Sequence, residues 1–327
     1  MSDGLVHPLL STPSEQTAPA LADWLELNLL FERVPELSST AVRDFLEDDL
    51  ALTSATWDAF DDDEDLYPDV DEHKKDIDSI GLRVEEATMR LERRHRILAD
   101  AYPITIDMDV LVAPPDWRHH PEFAFLALLA ARHRRWLDID VHERAEAALL
   151  FEHLVATAVA HYLDGEAARF GWPLDQGEFT GTFFERVGQL SSLIKERAVT
   201  EPPVVSPRQN DMGLDVVGWK HLDARTSKII LLCQCAIGIN EDLTEHKVEV
   251  ERWKKVLSFA TTPMTAVATS RDMLETARHE WEAIATVAGV VFDRTRLCLF
   301  ADLDRRPGLS RRIVDWCERV HPQLSTR

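Results

Sequence analysis

Two neighbouring apolar runs constrain this chain more than anything else in it. They are Asp215-Val216-Val217-Gly218-Trp219-Lys220 and, after a short polar stretch, Ile229-Ile230-Leu231-Leu232-Cys233-Gln234-Cys235-Ala236. Each is short, bounded by turn formers and rich in β-branched and bulky apolar side chains, which predicts two buried strands joined as a hairpin. That pairing brings Asp215, at the start of the first strand, to the same end as Gln234, near the end of the second. A carboxylate and an amide oxygen so placed can hold a divalent cation. Magnesium often takes only one or two protein carboxylates and fills its remaining positions with water and substrate oxygens. The main-chain carbonyl of Cys235 is a further oxygen donor at that point. The structural alternatives are a turn-capping role for Asp215 and a buried sheet amide for Gln234.

The rest of the chain predicts a host for this hairpin. Residues 1–20 are rich in Ser, Thr, Pro and Gln and are expected to be disordered. Residues 21–135 read as a mainly helical N-terminal domain with an acidic insert at 58–78. Its parts are a helix begun by Leu21, Trp24, Leu25 and Leu29, one capped by Ser39-Thr40, a long amphipathic helix over about 71–100, and a helix opened by Pro121. Tyr102 to Val112 alternates apolar and polar residues and predicts one strand. From 140 to 327 helical and strand patterns alternate, as in an α/β domain. There, helices are expected over 142–164, 180–196, 241–259, 272–287 and 311–320, and a further strand over 264–269. At 45% hydrophobic residues the chain can bury a sizeable core, and it contains no apolar run of membrane-spanning length. The start lacks a basic region followed by an apolar one, and the 4 cysteines stand in apolar or helical surroundings. Both features predict a cytoplasmic protein with reduced thiols and no membrane association.

The formal net charge is −22, with much of the excess between Asp58 and Asp78. Nucleic-acid binders generally carry a basic field, because phosphate contacts supply most of their affinity. A localised acidic run is screened beyond roughly 8–10 Å in physiological salt, so a basic groove elsewhere remains compatible with DNA. Several chemistries lack their motifs. There is no Gly-rich loop ending in Lys-Ser or Lys-Thr, no zinc spacing among the histidines and no Gly-x-Ser-x-Gly elbow.

The order of an Asp, a two-strand hairpin and a Gln-x-x triplet resembles the PD-(D/E)xK nuclease superfamily, and within it the Mrr-like restriction endonuclease branch. An uncharacterised bacterial group of this class has a similar series of motifs, here Tyr102-Pro103, Phe151-Glu152, Gly213-Leu214-Asp215-Val216-Val217, Gln234-Cys235-Ala236-Ile237-Gly238 and Phe292-Asp293-Arg294-Thr295-Arg296-Leu297. The resemblance implies a restriction-endonuclease-like central sheet flanked by helices. It implies Mg²⁺ or Mn²⁺ held by Asp215, Gln234, the Cys235 carbonyl and a helix carboxylate, Glu152, for which Glu185 in a similar Phe-Glu context is the rival. It also implies hydrolysis of DNA phosphodiester bonds, as the nuclease of an antiphage or restriction system.

One departure matters. The triplet's third position, where the family has Lys, is Ala236. Lys247, expected on the helix after the hairpin, is the candidate replacement, with Lys220 and Lys228 at the wrong end of the strands. The acidic surface suggests delivery to DNA by a protein partner such as an ATPase or sensor, with self-association a further option. The alternative expectation is a catalytically inactive nuclease-fold subunit that binds or assembles. Asp293, Arg294 and Arg296 are expected to be structural rather than a phosphate clamp.

Overall fold

The computed structural model describes residues 10, 13, 17–31, 34–58, 70–175, 179–200, 211–239 and 242–324. The chain divides into two units, residues 1–138 with 320–327, and residues 139–319.

The first unit is mainly helical. Helix α1 (Ala18–Leu30) is buried almost all round, including its polar residues Asp23, Glu26 and Asn28. Asn28 accepts from the backbone N–H of Leu10, so that residue, inside the segment expected to be disordered, is buried against the helix. Strand β1 (Glu36–Ser38) leads into α2 (Ser39–Asp58), and α3 (Val70–Leu98) follows. Ser38, rather than Ser39 or Thr40, caps α2 by accepting from the N–H of Ala41. The acidic run at 59–69 lies outside the described residues. The strand expected across 102–112 is instead a hairpin, β2 (Thr105–Asp107) and β3 (Val110–Val112), with β1 completing a three-stranded sheet. Met108 turns the chain there with a left-handed φ of 53°, which apolar alternation alone does not reveal. Helix α4 (Pro121–His133) follows, with Pro121 in its first turn.

The second unit is mixed α/β. Helix α5 (Val141–Tyr162) is capped by Asp140, which accepts from the N–H groups of His142 and Glu143. Strand β4 (Glu166–Arg169) comes next, in a stretch expected to be a plain connection. Its Gly-Glu-Ala-Ala-Arg sequence has no β-branched residue; pairing with its neighbour, not propensity, makes it a strand. Then come α6 (Phe183–Ile194), the short β5 (Arg197–Ala198), β6 (Val216–Trp219) and β7 (Ile230–Ala236). The helix expected over 241–259 is reduced to α7 (Val250–Trp253), entered from turns and extended chain and followed by β8 (Leu257–Ser258), which pairs with β5. Its apolar residues Leu243, Val248, Trp253 and Val256 are all buried, but Leu243 belongs to a different cluster from the other three, so the segment spreads over two parts of the core instead of coiling. Strand β9 (Met264–Thr269), α8 (Arg278–Ala288), β10 (Val290–Phe292), α9 (Arg294–Phe300) and α10 (Pro307–Val320) complete the unit.

Five strands form the central sheet in the order β10-β9-β7-β6-β4. The pairs β4–β6 and β6–β7 are antiparallel, and β7–β9 and β9–β10 are parallel. Side chains alternate across a strand. Val217, Trp219, Ile230 and Leu232 therefore meet α6 and Trp253 on one face, and Ala236, Val267 and Val291 meet α8 on the same side. Gly218 faces α5: a Cβ there would stand 2.3 Å from Val159, so only glycine lets the helix lie this close. The antiparallel half of the sheet thus has α5 against it, and the parallel half supplies strand ends beside Gln234. Among the described residues no helix is long and apolar enough to cross a membrane.

Candidate metal-binding carboxylate site

The hairpin forms with Val216 opposite Cys233 as its last pair, so Asp215 and Gln234 each follow one residue beyond that pair, at the same end of the two strands. The N–H of Asp215 donates to the carbonyl of Cys233 at 3.1 Å, and its carbonyl accepts from Phe170 and Gly171 at 2.7 and 3.1 Å. Asp215 Oδ2 accepts from the N–H of Cys235 at 2.7 Å. The acid is therefore fixed to two chain segments at once, residues 170–171 and the end of β7. Cys235 was expected to offer a carbonyl; the contact it makes at the site is through its N–H. Burial is the main reason that its thiol stays well above its ordinary pKa, with Cys233 and Asp215 adding to the effect. It is a neutral neighbour, not a thiolate ligand.

Glu152 comes to Asp215 from α5. The two meet across Gly171: a Cβ on that residue would stand 2.4 Å from Glu152 Oε2 and 3.2 Å from Asp215 Oδ1. Only glycine lets both carboxylates lie this close to the chain at that point. The Gln234 amide lies near the turn before Asp215, its atoms 4.0 Å from the Cβ position of Gly213. Burial, and then the charge of Asp215, push the Glu152 carboxyl up to about 8; Arg169 opposes this and Asp211 adds to it. Arg169, a residue that sequence reasoning did not select, lies on β4 with its Nε 2.6 Å from Glu152 Oε2 and its guanidinium almost fully buried. Its Nη2 donates to the carbonyl of Pro173 at 2.8 Å. The signal missed was β4 itself; once that strand is recognised, an arginine at its end beside the hairpin's acid is apparent.

Lys247 does not sit on a helix. It lies in extended chain ahead of α7 with its side chain half exposed, and its ammonium is 3.9 Å from Glu249. Among the described residues no contact joins it to Asp215 or Glu152. The reason is the missing helix: the expected turn that would have carried Lys247 back to the hairpin does not form. Ala236 is buried in an apolar cluster with Leu243 and Val267. Lys220 pairs with Asp164 and Lys228 donates to the carbonyl of Asp223, both away from the acids. Glu185 is the reciprocal partner in a capping box with Thr182 at the start of α6, accepting at 2.7 Å from its N–H. That occupation separates it from Glu152, which stands at the site. Asp293 caps α9 through Arg296 N–H, and Arg296 donates to the Val291 carbonyl and lies over Trp281. This is a structural arrangement.

No family model matches the chain. No curated protein and no solved structure matches it either.

The donor set is therefore judged on its own chemistry. Among the described residues no group of three or more His, Cys, Asp or Glu side chains gathers as a metal cluster. What is present is two acids at close quarters, with Gln234 at the same end of the hairpin, a set adequate for magnesium or manganese when water supplies the remaining ligands. A carboxyl raised to about 8 beside a second acid is short of positive charge. That demand fits a small divalent cation. Arg169 supplies part of the missing charge from the side.

Proposed function

We propose that residues 139–319 form a nuclease core of the PD-(D/E)xK kind, acting on DNA phosphodiester bonds with Mg²⁺ or Mn²⁺. The observation that carries this is the meeting of Glu152 and Asp215 across Gly171, with Gln234 at the same end of the hairpin. The strand arrangement supports it: a helix bearing an acid, an antiparallel three-strand unit, then a parallel strand and crossover. In this reading Asp215, Glu152 and Gln234 hold the cation, which would offset charge on the scissile phosphate and lower the pKa of a bound water. Arg169 keeps the Glu152 carboxyl oriented and partly charge-balanced. The cytoplasm is the setting, restriction or antiphage defence the role, and a protein partner such as an ATPase or sensor the means of bringing a strongly acidic chain to DNA.

A second reading keeps the fold and drops the chemistry, leaving a binding or assembly subunit. It is favoured by one observation: Ala236 fills the triplet's third position among apolar neighbours, and Lys247 does not replace its amine. The readings separate in a DNA cleavage assay with Mg²⁺ or Mn²⁺, run on the chain alone and with the products of neighbouring genes. Under the first reading the wild type cuts and Asp215→Asn is reduced by about a hundredfold or more, the loss typical of removing a principal charge-stabilising group. Equal cutting by both proteins would remove the site, and no cutting under any condition would leave the second reading.

A further inference from the structure

We infer that Trp172 is a base-stacking platform beside the carboxylates, and that the substrate is single-stranded or locally unpaired nucleic acid. Trp172 follows Gly171, the residue against which both Glu152 and Asp215 lie, yet its own side chain is 48% exposed. A tryptophan offers a large, rigid apolar face, and this residue type is enriched where proteins bind partners.

Its loop is held rigidly. Phe170 and Gly171 donate to the carbonyl of Asp215, Arg186 donates to the carbonyl of Phe170 at 3.1 Å, and Arg169 donates to the carbonyl of Pro173 at 2.8 Å. Both arginines are buried. The Arg186 guanidinium is 4.8 Å from the Phe170 ring centre and 5.7 Å from that of Trp172, so the cation also steadies the indole. The result is a part-exposed indole on a hydrogen-bonded stretch of backbone, next in sequence to the glycine against which the acids lie.

A phosphate at the carboxylates would bring its own nucleotide's base within reach of that face. Bases in a duplex are stacked on each other and offer no free face; an unpaired base does, and aromatic stacking is a sequence-tolerant means of binding it. Charge points the same way. A chain of net charge −22 is poorly suited to the dense phosphates of a duplex, and a single strand has a weaker counterion atmosphere and depends less on basic contacts.

The inference rests on the nuclease reading for the position of the phosphate, and its test is a binding measurement that does not need cleavage. Full-length Asp215→Asn is titrated without metal against a labelled oligothymidylate and against a labelled duplex of equal length, by fluorescence anisotropy. The oligothymidylate should bind more tightly, Trp172→Ala added to Asp215→Asn should weaken it by roughly tenfold, and Trp172→Phe should retain most of the affinity. Circular dichroism and the melting temperature confirm that the variants fold. Unchanged single-strand affinity in Trp172→Ala, tighter binding of the duplex, or no binding of either would overturn the inference. Trp172-dependent binding by a wild type that cuts nothing would support the platform while removing the nuclease reading. Cutting by a wild type indifferent to Trp172→Ala would do the reverse.

Discussion

The two units each bury a cluster of acids and arginines, and the clusters differ in balance. In the first unit Asp23 and Glu26 of α1 meet Arg94 at 3.0 and 2.9 Å. Arg134 reaches Asp23 at 2.7 Å, and the Tyr102 hydroxyl donates to Glu26 at 2.9 Å. Two carboxylates face two guanidiniums and a hydroxyl. In the second unit Arg169 pairs with Glu152, while Asp215 and, more weakly, Asp211 add negative charge beside that carboxyl. The first cluster is complete by itself, as a buried ionic group must be if it serves only the fold. The second is short of positive charge: burial and the neighbouring Asp215 raise the Glu152 carboxyl to about 8 in spite of Arg169. Such an imbalance is expected where a ligand supplies what the protein omits.

The sharpest way to break this contrast is to remove one arginine from each cluster. Arg94→Met leaves Asp23 and Glu26 buried without their shared partner and should cost about 3–5 kcal/mol in denaturant-induced unfolding. Arg169→Met should cost less, about 1–2 kcal/mol, because Glu152 can take up a proton where the acids of α1 are locked in ion pairs. Equal losses would mean that both clusters are structural.

Metal comes next in size. At a hundred times the dissociation constant, Mn²⁺ should stabilise the wild type by about 2.7 kcal/mol. Asp215→Asn should abolish that gain, and so should Gly171→Ala, whose methyl would stand 2.4 Å from Glu152 Oε2 and force that carboxylate aside. A thermal-shift titration in which all three proteins respond alike would move the metal elsewhere.

Acidity gives a third measure. Glu152 binds its proton up to about 8 in the folded chain, against about 4.5 when unfolded. The folded state therefore holds more protons between those values, and metal-free stability should fall as pH rises through that window, then level off above about 8. Glu152→Gln should flatten this slope in denaturant melts across the pH series. Metal binding requires the carboxylate, so calorimetry should show proton release on Mn²⁺ binding and an affinity that improves up to about pH 8. Affinity independent of pH would take Glu152 out of the ligand set.

The smallest expected effect belongs to Lys247→Ala. Standing apart from the acids, it should change cleavage by less than about twofold, the scale of an exposed surface exchange. A loss comparable to that of Asp215→Asn would show that this lysine reaches the site after all.

Local pattern determined the hairpin, and with it the placing of Asp215 and Gln234 at one end of the strand pair, because antiparallel pairing brings the start of the first strand to the end of the second. It also determined most helices, α1 to α6, α8 and α10, by apolar spacing and by helix-opening residues. Local pattern did not determine β4, whose alanines are strand residues only because β6 lies beside them, nor the breakdown of the 241–259 helix, whose apolar residues divide between two core clusters. Those two tertiary outcomes decide the character of the site: the first brings Arg169 to Glu152, and the second leaves Lys247 in solvent. Which acids lie on which element follows from short-range spacing. Which cation stands beside them depends on contacts between segments distant in sequence, and charge balance in a buried place is set by those contacts alone.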